Sequence, residues 1–222
     1  MPIYNAQILK VDAKETRRYA GLIRAKNFDE QNIIDACDDA VLLLNVRGIW
    51  KIYDYDAENF LVQSTPPFKL EGNSITRHLS NCEKVICLAV TVGDEIENEV
   101  TRRFSAGKYV ESVLLDAAAT AAVEQAADSL EKAISPQLAK DGFKMKMRFS
   151  PGYGDWTLDN QQNFFNITGA AEIGMTLSSA MMLIPRKSIT AIIGLEKNKL
   201  DDKISPNKNC ADCEKLDCPA RL

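Results

Sequence analysis

The sequence predicts an α+β fold: one domain in which a mixed or mainly antiparallel, twisted sheet is packed against helices. Three observations predict it. Residues 84–90, Lys-Val-Ile-Cys-Leu-Ala-Val, are an unbroken apolar run of the kind a strand shows when both its faces are buried. Residues 109–134 are rich in strong helix formers, and Ala117, Ala118, Ala119, Ala121, Ala122, Ala126 and Ala127 let a neighbouring layer approach closely. Residues 48–55 and 59–62, β-branched and aromatic around a polar turn, predict a hairpin. At 222 residues and 45% apolar content the chain can bury the core of one large domain, placed over residues 1–200, with a distinct tail at 201–222.

The other elements follow in order. Residues 12–26 carry Tyr19, Leu22 and Ile23 at helical spacing behind Asp12, a good cap, and predict a first helix. A second spans 29–45, where Ile33, Ile34, Ala36, Cys37, Ala40, Val41 and Leu44 recur before Gly48. Gly72-Asn73-Ser74 opens a short helix through Leu79. After the turn at Gly93-Asp94, residues 95–104 form an acid-started helix with Ile96, Val100 and Phe104 on one face. Ser135-Pro136 is expected to end the long helix. Residues 143–149 then alternate Lys144, Lys146 and Arg148 with apolar neighbours, a strand with one face buried. A helix is expected over 158–167, and short strands over 173–176 and 189–193 flank a methionine cluster, Met181-Met182, that should fill core space.

Composition excludes several classes of function. Net charge is −4 with pI near 5.2 and the basic residues are spread, so neither nucleic acid nor an anionic membrane is an expected partner. The N-terminus has no charged leader followed by an apolar core, and no apolar run reaches ~20 residues, so the protein is expected to be cytoplasmic. The six cysteines are too few for a disulfide scaffold, and any Ser-His-Asp or Cys-His apparatus would depend on His78, the one histidine, read here as structural.

Two stretches carry chemistry. The first is Arg148-Phe149-Ser150-Pro151-Gly152-Tyr153-Gly154-Asp155-Trp156: a guanidinium fork suited to a carboxylate or phosphate, a Pro-Gly turn approachable at close range, and the flat rings of Tyr153 and Trp156. The competing reading is an ordinary strand-to-helix connection. Glu124, a carboxylate within the alanine-rich helix, needs water, a cation or a donor. The second stretch is the tail, where Cys210, Cys213 and Cys218 have spacing suited to zinc or an iron–sulfur cluster but present three ligands of the usual four. Cys82, His78, a carboxylate or a partner's group could complete the set; reduced thiols and redox chemistry are the alternatives.

Arg148-x-x-Pro151-Gly152-Tyr153, with Ile173-Gly174-Met175-Thr176-Leu177 through Pro185 to Ser188, resembles the reactivation domain of cobalamin-dependent methionine synthase. Thr91-Val92-Gly93 and the helix holding Asp116 and Glu124 extend the resemblance over roughly residues 70–195. It implies that the chain binds S-adenosylmethionine and supports remethylation of cobalamin that has been oxidised to cob(II)alamin, after an electron is supplied. By matching positions, Arg148 would hold the methionine carboxylate, Ser150, Pro151, Gly152 and Tyr153 would line the ligand, and Glu124 would meet its amino group or ribose.

The sequence also departs from that family. Ile192-Ile193-Gly194-Leu195 stands where the family has a tyrosine-containing segment, the N-terminal third matches poorly, and no Asp-x-His-x-x-Gly cobalamin loop is present. The resemblance therefore implies a methyltransferase component whose cobalamin sits on a separate methionine synthase or corrinoid protein, with an electron donor such as flavodoxin or ferredoxin. The alternatives are a module that senses S-adenosylmethionine or a corrinoid protein without methyl transfer, and a redox partner organised by the tail cysteines.

Overall fold

A strand with no face toward water must be flanked on both edges and covered on both sides, and β4 (Lys84–Thr91) is such a strand: seven of its eight residues are buried. The computed structural model, which describes residues 3–198, sets it in the middle of an antiparallel sheet. β1 (Arg47–Asp56) runs along one side with Ile49 opposite Ala89, and β8 (Ser188–Lys197) along the other with Ile192 opposite Cys87. β5 (Phe143–Phe149) adds to the free edge of β8, while β2 (Leu61–Val62) and β3 (Phe68–Lys69) extend the sheet beyond β1. The order is β3-β2-β1-β4-β8-β5, and β6 (Thr176–Leu177) and β7 (Leu183–Ile184) form a separate ribbon.

The period of two along each strand divides the core into two layers. Ile86, Leu88, Val90, Ile193 and Leu195 face α1 (Ala13–Tyr19), α2 (Glu30–Leu43), α4 (Glu95–Ser105) and α5 (Tyr109–Lys140). Val85, Cys87 and Ile192 face the opposite way, toward α3 (Asn73–His78), α6 (Gln161–Thr168) and Trp156. The expected α+β architecture is the one observed. Among the described residues no helix is long and apolar enough to cross a membrane.

Several local expectations are corrected. α1 stops at Tyr19, because Gly21 takes φ +72° and the amides of Gly21 and Leu22 turn back to the carbonyls of Arg18 and Arg17, leaving Leu22 and Ile23 beyond the helix. α5 does not end at Ser135-Pro136: it runs on to Lys140, since Ile134 and Leu138 continue its buried stripe. Residues 170–173 are a single 3₁₀ turn closed by Gly174, so the strand expected at 173–176 shrinks to Thr176–Leu177. The methionine pair fills no core: Met181 has φ +60° in the turn of the β6–β7 ribbon and Met182 is 53% exposed, while Met175 is the buried one. β8 passes through Gly194, where a Cβ would collide with Cys82 Sγ and Leu79.

Pro136 removes one helical donor that an alanine would restore, an interior cost of about 3 kcal/mol that is offset in part by the stiffer unfolded chain. Pro136→Ala is therefore expected to stabilise the protein by about 2 kcal/mol, read as a higher urea midpoint with an unchanged slope.

Candidate functional site

The first part of the site is built by β5 and α5. Phe149 stands opposite Ile192, so Arg148, one residue earlier and opposite Ile193, faces the α5 side of the sheet. On α5, Glu124, Asp128 and Glu131 are four and three residues apart and share one helix face. Arg148 Nη2 donates to Glu124 Oε2 at 2.7 Å, and Nη1 donates to Asp128 Oδ1 at 2.6 Å and to Glu131 Oε1. Three of the guanidinium's five N–H donors are thus engaged, leaving Nε–H and one Nη2–H. One cation among three carboxylates makes the surroundings electronegative. Burial opposes the charge on Arg148, but the hydrogen bond and charge of Glu131, then the hydrogen bonds of Asp128 and Glu124, hold it more firmly protonated than an ordinary arginine. Burial pushes the Glu131 carboxyl above its usual range, against the pull of Arg148.

Glu124, read from the sequence as needing water, a cation or a donor, finds the cation, and that cation is Arg148 itself. Asp128 and Glu131 went unnoticed in the sequence; their signal was the four-and-three spacing from Glu124. Tyr19 of α1 is close enough to feel the same charge, its hydroxyl pushed up first by burial and then by Glu124.

The second part is the loop after β5. Tyr153 N donates to Ser150 O and Trp156 N to Tyr153 O, both at 3.0 Å, closing two tight turns, and Gly152 N donates to Trp156 O at 2.6 Å across them. Gly154 has φ +56°, and a Cβ there would meet Ser74 Oγ at 2.7 Å, so only glycine lets the loop lie against α3. Asp155 fastens it: its carboxylate accepts from Asn73 N at 2.7 Å and Ser74 N at 2.8 Å, bonds that hold it below the usual aspartate range, that of Ser74 foremost.

Trp156 is not a ligand surface. It is fully buried, edge-on to Phe164 at 5.3 Å and tilted to Phe149 at 6.2 Å, because the loop turns inward to cover the α6 layer. Pro151 is buried, Ser150 is half-buried, and Gly152 and Tyr153 are exposed, the Tyr153 ring meeting Phe149 edge-on at 5.7 Å. The structure therefore joins Arg148 and Glu124 in one cluster, and ties Ser150 to Tyr153 to the end of the same strand on the Phe149 side.

The remaining candidates are structural where they are described. His78 Nε2 donates to Met147 O at 2.9 Å and its ring packs on Phe149. Cys37, Cys82 and Cys87 are buried, and burial raises their thiols, that of Cys82 to about 11, which removes them as nucleophiles. Cys210, Cys213 and Cys218 lie outside the described residues, among which no group of three or more metal-ligating side chains is placed to hold an ion. A cleft of about 360 Å³ opens beside α6, between Pro66, Phe68 and Lys69 and the amides of Asn160, Asn163 and Asn166, and none of the candidate residues lines it.

No protein-family model matches the sequence, and no curated protein matches it either. Among solved structures, the chain is similar to the crystal structure of the MetH reactivation domain bound to AdoHcy, at 12% identity and a TM-score of 0.60, over 92% of this chain and 81% of that one. At that identity the likeness is one of fold.

Two outcomes follow from the packing. Trp156→Ala should cost about 3–5 kcal/mol in chemical denaturation, the loss expected for a buried aromatic rather than for a ligand contact. His78 titrates below its ordinary value because burial disfavours its charged form, the bond to Met147 opposing that only in part. The unfolded chain therefore binds the proton more tightly. Stability should be complete above about pH 6.5 and fall as the pH drops from there toward the depressed folded value, a loss absent in His78→Gln and measurable as urea midpoints across pH 5–8.

Proposed function

We propose that this chain, sharing a fold with a domain bound to AdoHcy, binds S-adenosylmethionine at the end of β5 and supports remethylation of cobalamin carried by a separate methionine synthase or corrinoid protein. The observation that carries the proposal is the coincidence of that fold with Arg148-x-x-Pro151-Gly152-Tyr153 at the point where the chain leaves the edge strand beside the acidic face of α5.

The residues fit such a ligand. Its sulfonium and α-ammonium are cations, and the three carboxylates around Arg148 exceed the one positive charge they surround. Its carboxylate needs donors, and Arg148 retains two N–H groups on a planar fork. The exposed ring of Tyr153 offers a π-face to a cation, and side-chain-free Gly152 admits close approach. When bound, S-adenosylmethionine supplies an electrophilic methyl group, which a corrinoid reduced by an electron donor such as flavodoxin or ferredoxin would accept on the partner. The chain's own part is positioning and electrostatics: Arg148 and Glu124 orient the amino-acid end, and the loop, anchored through Asp155 and Trp156, keeps its exposed turn in place.

The test is calorimetric titration of the full chain, prepared anaerobically, with S-adenosylmethionine. Saturable binding is expected, at least about tenfold weaker in Arg148→Lys, which keeps the charge and loses the fork, and weaker in Tyr153→Ala. Binding unchanged in both variants, or none in the wild type alone and none with a cobalamin-loaded methionine synthase fragment present, would overturn the proposal. Binding without methyl transfer to a reduced corrinoid partner would reduce it to the ligand-binding half.

A further inference from the structure

Among the described residues, half-buried cations are paired, with one exception. Arg17 holds Glu30, Arg18 holds Glu15, Arg103 holds Asp39 and Glu99, and Arg148 holds three carboxylates. The half-buried lysines likewise each reach a carboxylate. Arg47 is half-buried and has none: among the described residues no carboxylate comes within ion-pair distance, and its Nε is fully buried without a hydrogen-bond partner. Leaving a charged donor unmet in this way costs stability, and such a group calls for an explanation.

Its setting supplies one. Arg47 is the first residue of β1 and stands opposite Thr91, which stands opposite Ser188, so the three side chains form a row on one face at the end of the sheet. Ile49, two residues on, packs with Ile173 and Met175, which places Arg47 on the α6 face. The guanidinium lies against exposed Gly174, whose φ is +78° and where a Cβ would come within 2.8 Å of Nη1. Glu172, the acid of the same turn, is committed to Lys51 at 3.6 Å. The shelf therefore carries an uncompensated positive charge, bounded by a glycine that leaves the guanidinium room and by the Thr91 and Ser188 hydroxyls, which bond each other at 2.8 Å.

We propose that Arg47 is an anion site, taking an oxyanion, the phosphate or carboxylate of a second ligand, on its two terminal nitrogens. With Nε buried, the outer end of the fork is what a ligand reaches, and two N–H groups there match two oxygens of either anion. The site is separate from the one proposed for S-adenosylmethionine. Arg148 faces the other side of the sheet, three strand spacings across it and five residues along it, roughly 22 Å away. S-adenosylmethionine carries no phosphate, and its one carboxylate is assigned to Arg148.

The experiment titrates the full chain with inorganic phosphate and, in a second arm, with malonate, both at ionic strength held constant with chloride. The wild type should bind at least one saturably, and the arm that binds more tightly identifies the source. Arg47→Met, which keeps the apolar stem, should bind the same anion at least about tenfold more weakly, while titrating with S-adenosylmethionine as the wild type does. In chloride buffer without phosphate or carboxylate, Arg47→Met should unfold at the same or a higher urea concentration, because an unmet charge has been removed. No saturable binding of either anion, equal binding by Arg47→Met, or a clearly lower urea midpoint for that variant would each overturn the proposal, the last because the guanidinium would then serve the fold. Should Arg47→Met fail to fold, Arg47→Lys decides: several-fold weaker anion binding supports the site, and unchanged binding rejects it.

Discussion

The distance between α5 and the sheet is the constraint on which the rest depends. Ala118, Ala119, Ala121, Ala122 and Ala126 are almost wholly buried where α5 packs against the strands, and their small side chains let the helix lie close. Each contributes little apolar area, so the adhesion comes from Leu114 and Leu115 toward one end and Leu130, Ile134 and Leu138 toward the other. That closeness brings Glu124, Asp128 and Glu131 within reach of a side chain on the edge strand β5. Arg148 bridges helix and strand, and the loop that follows it starts from a fixed point.

The cluster around Arg148 also sets what a ligand there must look like. Dissolving the ion pairs would leave partly buried carboxylates uncompensated, so a ligand adds to the cluster rather than replacing it. A bare carboxylate would face three like charges, whereas a group that brings its own cations would not. Under the proposed function this favours the sulfonium, with two positive charges against one negative, over the thioether left after methyl loss, whose charges cancel. The preference runs in the direction that lets a spent ligand leave.

Much of the fold was legible because its signals were local. The unbroken run of β4, the cap at Asp12, and the hairpin around residues 54–58 are written in adjacent residues. What escaped depended on contacts distant in sequence. Pro136 reads as a stop until Leu138 is seen to be buried, and Trp156 reads as a ligand ring until the loop is seen to fold onto Phe164. The candidate site was partly legible for the same reason. Arg148 and the Pro-Gly turn stand out in one short stretch, but nothing local says that the fork of Arg148 is engaged by a helix that begins 39 residues earlier in the chain.

Arg47 and Arg148 mark the limit of reading charge from sequence. Arg47 opens β1 and Arg148 is the last residue but one of β5, and although Arg148 heads a recognisable stretch, neither sequence context says which acids the side chain will meet. The sheet separates them by sending one side chain to the helix face that carries acids and the other to the face covered by α6 and the glycine-closed turn, whose acid, Glu172, is already bound to Lys51. Pairing spread across a sheet is thus decided by parity along the strands: a residue's face selects its partners. An arginine that parity turns away from acids keeps its charge for something outside the chain.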